Sequence, residues 1–156
     1  MGVEIERKFL IDKKILGSLK NGYQIKQGYI KTVDFTTVRV RIRDQEAFLT
    51  LKSKNKSTTR LEFEYPIPLK DAQEMLENLC QTSHVEKTRY LITHKSHTWE
   101  VDVFEGENKG LIVAEIELTS EDESFVLPKW VKEEVSDDAR YYNSNLIEHP
   151  YTKWDA

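Results

Sequence analysis

The first predicted strand, residues 3–11, carries two carboxylates and an ammonium at every second position, Glu4, Glu6 and Lys8. Side chains alternate between the two faces of a β-strand, so these three share one face. Two ionised carboxylates held side by side repel each other. A divalent metal ion would convert that repulsion into binding, because hard cations prefer oxygen ligands. The spacing therefore predicts a metal site beside a cation.

The alternation recurs along the chain, and in the later predicted strands the charges on the polar face have one sign. The cations are Lys8, Arg39, Arg41, Arg43, Lys52, Lys54, Lys87 and Arg89. The carboxylates are Glu4, Glu6, Glu62, Glu64, Glu100, Asp102, Glu115 and Glu117. A solvated sheet face usually mixes its charges, because like charges opposite one another are destabilising. We therefore expect these faces to line a shared lumen, with the apolar faces turned outward.

Strands must position these side chains, and the pattern predicts eight of them. They cover residues 3–11, 22–33, 36–44, 47–54, 59–67, 85–94, 98–104 and 111–119. Asp44-Gln45 and residues 105–110 are predicted to turn two hairpins. Three helices are predicted. One covers 13–20, one begins at a capping box formed by Asp71 and Glu74, and one covers part of 137–147. The expected fold is α+β, mostly β, an eight-stranded antiparallel closed barrel with a charged lumen and helices packed outside.

Composition limits the class of protein. The 156 residues suit a single domain over 1–156 with its own core. The single cysteine, Cys80, cannot form an internal disulfide, which is typical of the reducing cytoplasm. No apolar run approaches a membrane span, and a net charge of −4 does not favour general nucleic-acid binding. We expect a cytoplasmic protein with a small-molecule partner and neither nucleic acid nor membrane; the oligomeric state stays open, a homodimer included.

The segment Glu4-Ile5-Glu6-Arg7-Lys8 resembles the Glu-x-Glu-x-Lys motif of the CYTH superfamily, the triphosphate tunnel metalloenzymes. The later charged pairs occur in the family's order, and the chain looks most like small bacterial members, several of which cleave tripolyphosphate. The resemblance implies metal-dependent hydrolysis of a triphosphate, tripolyphosphate first, to pyrophosphate and phosphate. Three alternatives stay open: a class IV adenylate cyclase forming cyclic AMP and pyrophosphate from ATP, a thiamine triphosphatase, or a non-catalytic binder of polyphosphate or nucleotides.

The resemblance also implies roles for the charged residues. Two Mg²⁺ or Mn²⁺ ions would be held by Glu4, Glu6, Asp102, Glu115 and Glu117, supported by Glu62 and Glu64. Phosphate oxygens would be bound by Lys8, Arg39, Arg41, Lys52, Lys54, Lys87 and Arg89, with Tyr29 lining the tunnel. The catalytic set would be Glu4, Glu6, Lys8 and Lys87, the two lysines stabilising charge at the transferred phosphoryl group. Arg43 would lie at the tunnel mouth.

Overall fold

The computed structural model describes residues 2–54, 58–81 and 83–154. Its strands are β1 (Val3–Ile11), β2 (Tyr23–Ile30), β3 (Thr37–Arg43), β4 (Glu46–Lys52), β5 (Thr59–Ile67), β6 (Val85–His94), β7 (His97–Phe104), β8 (Ile112–Leu118) and β9 (Val131–Glu134). Its α-helices are α1 (Lys13–Leu16), α2 (Leu69–Asn78) and α3 (Asn145–Glu148). Single 3₁₀ turns cover Gly106–Asn108, Ala139–Tyr141 and Tyr151–Lys153.

Eight of the strands close into an antiparallel barrel, as the alternation predicted. The order runs β5-β4-β3-β2-β6-β7-β8-β1, and β1 pairs with β5 to complete the ring. That closing contact is short: among the described residues, Val3 to Ile5 lie opposite β5. Further along the same edge of β1, Phe9 and Ile11 pair with β9 instead. The ninth strand therefore satisfies backbone groups of β1 beyond its pairing with β5, which limits an exposed sheet edge.

Apolar side chains on the outer face of the barrel pack under short covering elements. On one side Ala72 and Leu76 of α2 cover Val40 and Ala47 of β3 and β4. On the other side a cluster around Trp99 packs against α1 and the segment that follows β8. Burial of these outer faces leaves the opposite faces of the same strands for the lumen, because successive side chains alternate.

A third apolar cluster lies on the lumen face itself, beyond the charged residues. Val85, Phe104 and Val113 continue the inward faces of β6, β7 and β8. The C-terminal segment, residues 135–147, packs onto them through Tyr141 and Leu146. This segment therefore covers one part of the lumen and brings its own polar groups to the charged site.

Several predicted boundaries are wrong for local reasons. The helix expected over 13–20 ends at Leu16, because Gly17 adopts a positive φ of 74°. The capping box is wrong: α2 begins at Leu69 after Pro68, so Asp71 lies in its first turn. The helix expected within 137–147 is a 3₁₀ turn followed by α3.

The strands expected over 22–33 and 36–44 are shorter than predicted, and β9 was not predicted. The Asp44 turn is confirmed, with a φ of 54° at Asp44. No helix within the described residues has both the length and the apolar character needed to cross a membrane.

Candidate active site in the barrel lumen

The lumen is a cavity of about 620 Å³ whose walls carry most of the predicted site residues. They are Glu4, Glu6, Lys8, Tyr29, Arg39, Arg41, Arg43, Lys52, Lys54, Glu62, Glu64, Lys87, Arg89, Glu115 and Glu117. Glu100, to which no role was given, lines it too. Asp102 is 1% exposed and lies behind the wall, against Lys87 and Arg89. The closed barrel thus gathers charges from seven of its eight strands around one space, and β2 contributes the neutral Tyr23 and Tyr29.

Three carboxylates, Glu6, Glu100 and Glu115, each offer an oxygen within 4.8 Å of the others. Burial, then the charges of Glu115 and Glu4, raises the pKa of Glu6 to about 8. Burial also raises the pKa of Glu100. An oxygen-only cluster in which two of the three carboxylates resist ionisation fits a hard divalent cation, whose charge would relieve the repulsion.

Glu115 differs from its two neighbours because cations contact it. Burial acts to raise its pKa, but Lys8 and Arg89 outweigh that effect and lower it to about 2. Lys8 Nζ lies 3.3 Å from its carboxylate, and Arg89 Nη2 lies 3.4 Å away. Glu115 therefore stays ionised and lies between the carboxylate cluster and the cations.

Glu4 pairs with the cation Lys52 and does not belong to the carboxylate cluster. Both of its oxygens accept from Lys52 Nζ, at 3.0 and 3.1 Å, and Arg60 Nε lies 3.4 Å away. Burial acts to raise the pKa of Glu4, yet Lys52 and Arg60 hold it below its ordinary value. Glu117 is exposed, outside the cluster formed by Glu6, Glu100 and Glu115. Of the five predicted metal ligands, Glu6 and Glu115 belong to this cluster and Glu4, Asp102 and Glu117 do not.

Asp102 forms the most buried ion pair of the site. Its carboxylate accepts from Arg89 Nε at 2.7 Å and from Arg89 Nη2 at 2.9 Å, while Lys87 Nζ lies 2.7 Å away. Although burial opposes ionisation, these two cations hold the pKa of Asp102 well below its ordinary value. In turn burial, helped by Arg89 and Arg41 and opposed by Asp102, lowers the pKa of Lys87 to about 8. Asp102 thus orients two cations toward the lumen.

The arginines of β3 point into the same cavity. Arg39 Nη2 lies 3.3 Å from Glu64, and its buried Nε has no hydrogen-bond partner in the described part of the chain. Burial, then Arg39 and Arg89, lowers the pKa of Arg41 to about 10. An anion with several oxygens would relieve the repulsion between these crowded, buried cations. Arginine binds such oxygens through paired N–H donors.

The residues at the site that were missed or left without a role include Gln27, Arg60, Glu100 and Asn143. Arg60 alternates with Glu62, so the spacing that predicted the other charges could have found it, and it breaks the single sign expected of that strand. Gln27 is 0% exposed, with its amide between Arg41 and Tyr29. Asn143 comes from the C-terminal segment, where no strand pattern points to the lumen.

Comparison with known proteins agrees with this geometry. The family model of the CYTH domain matches residues 2–149. A curated protein of Acetivibrio thermocellus named inorganic triphosphatase is 46% identical over 151 residues, which are 97% of each chain. One of Nitrosomonas europaea with the same name is 39% identical over 92% of this chain and 95% of its own. A crystal structure of an inorganic triphosphatase superposes with a TM-score of 0.66 at 36% identity, covering 94% of this chain and 95% of that one.

Proposed function

The chain belongs to the CYTH domain family, and we propose that it hydrolyses inorganic tripolyphosphate to pyrophosphate and phosphate with the help of a divalent metal. One observation carries the proposal: a closed lumen holds eight predicted cations together with three clustered carboxylates. A chain of phosphates needs many cationic contacts, which the lysines and arginines offer. Its metal ion needs oxygen ligands, which the carboxylates offer. The name shared by the two curated relatives, inorganic triphosphatase, supports the same reaction.

We propose Glu6, Glu100 and Glu115 as the residues that hold the principal ion, Mg²⁺ or Mn²⁺. Their oxygen-only chemistry and mutual proximity suit either ion, and Glu4 is already engaged by Lys52. When bound, the ion supplies positive charge to phosphate oxygens. We assign a second ion to the mouth, near Glu117, whose pKa is raised by burial and then by Glu4 and Glu62.

The side chains of the lumen supply the positioning that phosphoryl transfer requires. Water attacks the terminal phosphorus, the bond from phosphorus to the bridging oxygen breaks, and pyrophosphate leaves with the electron pair. We assign Lys8 and Lys87 to the oxygens on which charge grows, because both side chains are buried at the lumen, Lys8 against Glu115 and Lys87 against Asp102. The remaining proposed phosphate ligands, which hold the rest of the chain of phosphates, are Arg39, Arg41, Lys52, Lys54 and Arg89.

A substrate panel tests the proposal. Purified protein is incubated with tripolyphosphate, ATP, thiamine triphosphate or pyrophosphate, each with Mg²⁺ or Mn²⁺, and released phosphate and cyclic AMP are measured. We expect tripolyphosphate to be turned over fastest, with activity abolished by a chelator. Cyclic AMP from ATP would identify a cyclase, and faster turnover of thiamine triphosphate would identify a thiamine triphosphatase. Tight tripolyphosphate binding without turnover under any metal would identify a binder.

We also place the protein in the cytoplasm, as its single cysteine favours, with a small triphosphate rather than nucleic acid or a membrane as its partner. The lumen supports the small partner, because a cavity of about 620 Å³ suits a triphosphate and not a duplex.

A further inference from the structure

A neutral side chain from the C-terminal segment joins two cations of the lumen. Asn143 Oδ1 accepts from Lys87 Nζ at 2.9 Å and from Gln27 Nε2 at 3.2 Å. Gln27 in turn accepts from Arg41 Nε through its Oε1, at 2.8 Å, and also donates to Tyr29 Oη at 2.9 Å. A continuous chain of hydrogen bonds thus runs from β6 to β3 through two amides.

The two amides contact cations that other groups leave incompletely paired. Asp102 takes one of the three donors of Lys87, and Asn143 takes a second, so one N–H remains for a phosphate oxygen. Gln27 takes Nε of Arg41, which leaves the terminal nitrogens as the phosphate-binding end of that guanidinium. The amides therefore fix where each cation presents its remaining donors.

An amide is suited to this task because it carries no net charge. A carboxylate at the same place would orient the cation equally well, but it would also cancel the positive field that attracts phosphate. The site does use a carboxylate, Asp102, deeper in the wall, where it offsets the crowding of Lys87 and Arg89. Nearer the cavity, where Asn143 lines the lumen, the acceptor is neutral.

We propose that Asn143 is a positioning residue for the triphosphate, which orients Lys87 directly and Arg41 through Gln27 without reducing their charge. The inference rests on the proposed function, and it assigns to the C-terminal segment a part in substrate binding. The segment anchors there by apolar packing of Tyr141 and Leu146, so its amide is held rigidly at the cations.

The test compares Asn143→Asp with Asn143→Ala by calorimetric titration of tripolyphosphate in the presence of a chelator, so that binding is measured without turnover. Asn143→Ala should weaken binding roughly ten-fold, as expected for one lost hydrogen bond to a charged group. Asn143→Asp keeps shape and acceptor but adds a negative charge, so it should bind more weakly than Asn143→Ala while melting no earlier than the native protein. Gln27→Glu should also weaken binding, but it removes the Nε2 donor to Asn143 and Tyr29, so it should melt earlier than the native protein.

Asn145→Ala is the matched control. Asn145 lies two residues further along and also lines the lumen, but its amide donates to the backbone carbonyl of Ala139 at 2.8 Å rather than contacting a cation of the described residues. Asn145→Ala should lower the melting temperature of the protein, because it weakens the packing of the C-terminal segment. It should not cause a comparable loss of tripolyphosphate affinity.

The outcomes separate this inference from the proposed function. Native protein that binds tripolyphosphate without hydrolysing it with any metal would overturn the proposed function, while the order of variant affinities would still test Asn143. The inference is overturned if Asn143→Asp binds as tightly as native protein, or if Asn145→Ala weakens binding as much as Asn143→Ala. Native protein that binds no tripolyphosphate in chelator overturns the inference, and if it also hydrolyses none with any metal, the proposed function is overturned as well.

Discussion

Both carboxylate oxygens of Glu4 accept hydrogen bonds from the ammonium of Lys52, at 3.0 and 3.1 Å, across the seam where β1 closes the barrel onto β5. Glu4 is 6% exposed and Lys52 is 5% exposed, so the pair is buried. A buried carboxylate paired in this way is a poor first ligand for a metal ion, because the ion must displace the ammonium. The pair instead ties the charged faces of β1 and β4 together.

Breaking this pair should destabilise the metal-free protein. Lys52→Met leaves Glu4 with only the longer contact to Arg60, and Glu4→Gln leaves the ammonium of Lys52 near Glu62 at 3.4 Å. Each single change should lower the free energy of unfolding by about 3 kcal/mol, because a buried charge loses its partner. The double variant should be more stable than the sum of the two losses predicts. Urea titrations of the four proteins measure the coupling; strict additivity would show that the pair is unimportant for stability.

Glu6 should make the metal-free protein less stable as the pH rises. Its pKa is raised from 4.5 to about 8 by burial and by neighbouring carboxylates, so the folded state keeps a proton that the unfolded state releases. Below pH 4.5 both states hold the proton, and the destabilising contribution of Glu6 grows between 4.5 and about 8 and is constant above.

The Glu6→Gln variant isolates that contribution. Its melting temperature in chelator should exceed that of the native protein at pH 8, and the difference should shrink toward pH 5, while metal-stimulated hydrolysis is lost. Glu62→Gln, at another position of the lumen wall, is the control. A variant that melts below native protein at pH 8 would contradict the repulsion that we infer.

The sequence predicted which side chains face the lumen, because the alternation of side chains between two faces is a property of each strand by itself and does not depend on how that strand pairs with its neighbours. It did not predict which of them meet. Glu6 pairs in register with Glu117, and Glu100 with Glu115, yet the cluster joins Glu6 diagonally to Glu115. Which carboxylates meet depends on the stagger of the barrel strands and on side-chain direction, and the sequence of a single strand determines neither.

The C-terminal segment was also beyond prediction. A helix was predicted over part of 137–147, with the helices outside the barrel, but Tyr141 and Leu146 of this segment pack with Val85 and Phe104 on the lumen face. A turn and two short helical pieces carry no periodicity that identifies an inner surface. Only the packing shows that Asn143 reaches Lys87.

Glu100 and Glu117 should differ as metal ligands. Glu100 belongs to the cluster with Glu6 and Glu115, so Glu100→Gln should weaken binding of the principal ion at least about ten-fold. Glu117 is exposed and outside that cluster, so Glu117→Gln should leave the affinity of the principal ion within about three-fold. Mn²⁺ titrations followed by calorimetry measure both, free of turnover. The opposite ranking would return Glu117 to the principal site and remove Glu100 from it.

Activity at limiting metal should be greatest near pH 8. Metal binding requires ionised Glu6, whose pKa of about 8 makes the apparent metal affinity rise as the proton leaves. Phosphate binding requires protonated Lys87, whose pKa of about 8 makes affinity fall above that value. Saturating metal should extend the acidic side of the profile, because the ion displaces the proton from Glu6. Initial rates of tripolyphosphate hydrolysis from pH 5 to 10, at limiting and saturating Mg²⁺, give the two profiles. An optimum near pH 5, or an acidic limb that ignores the metal concentration, would refute the assignment of Glu6 as a ligand.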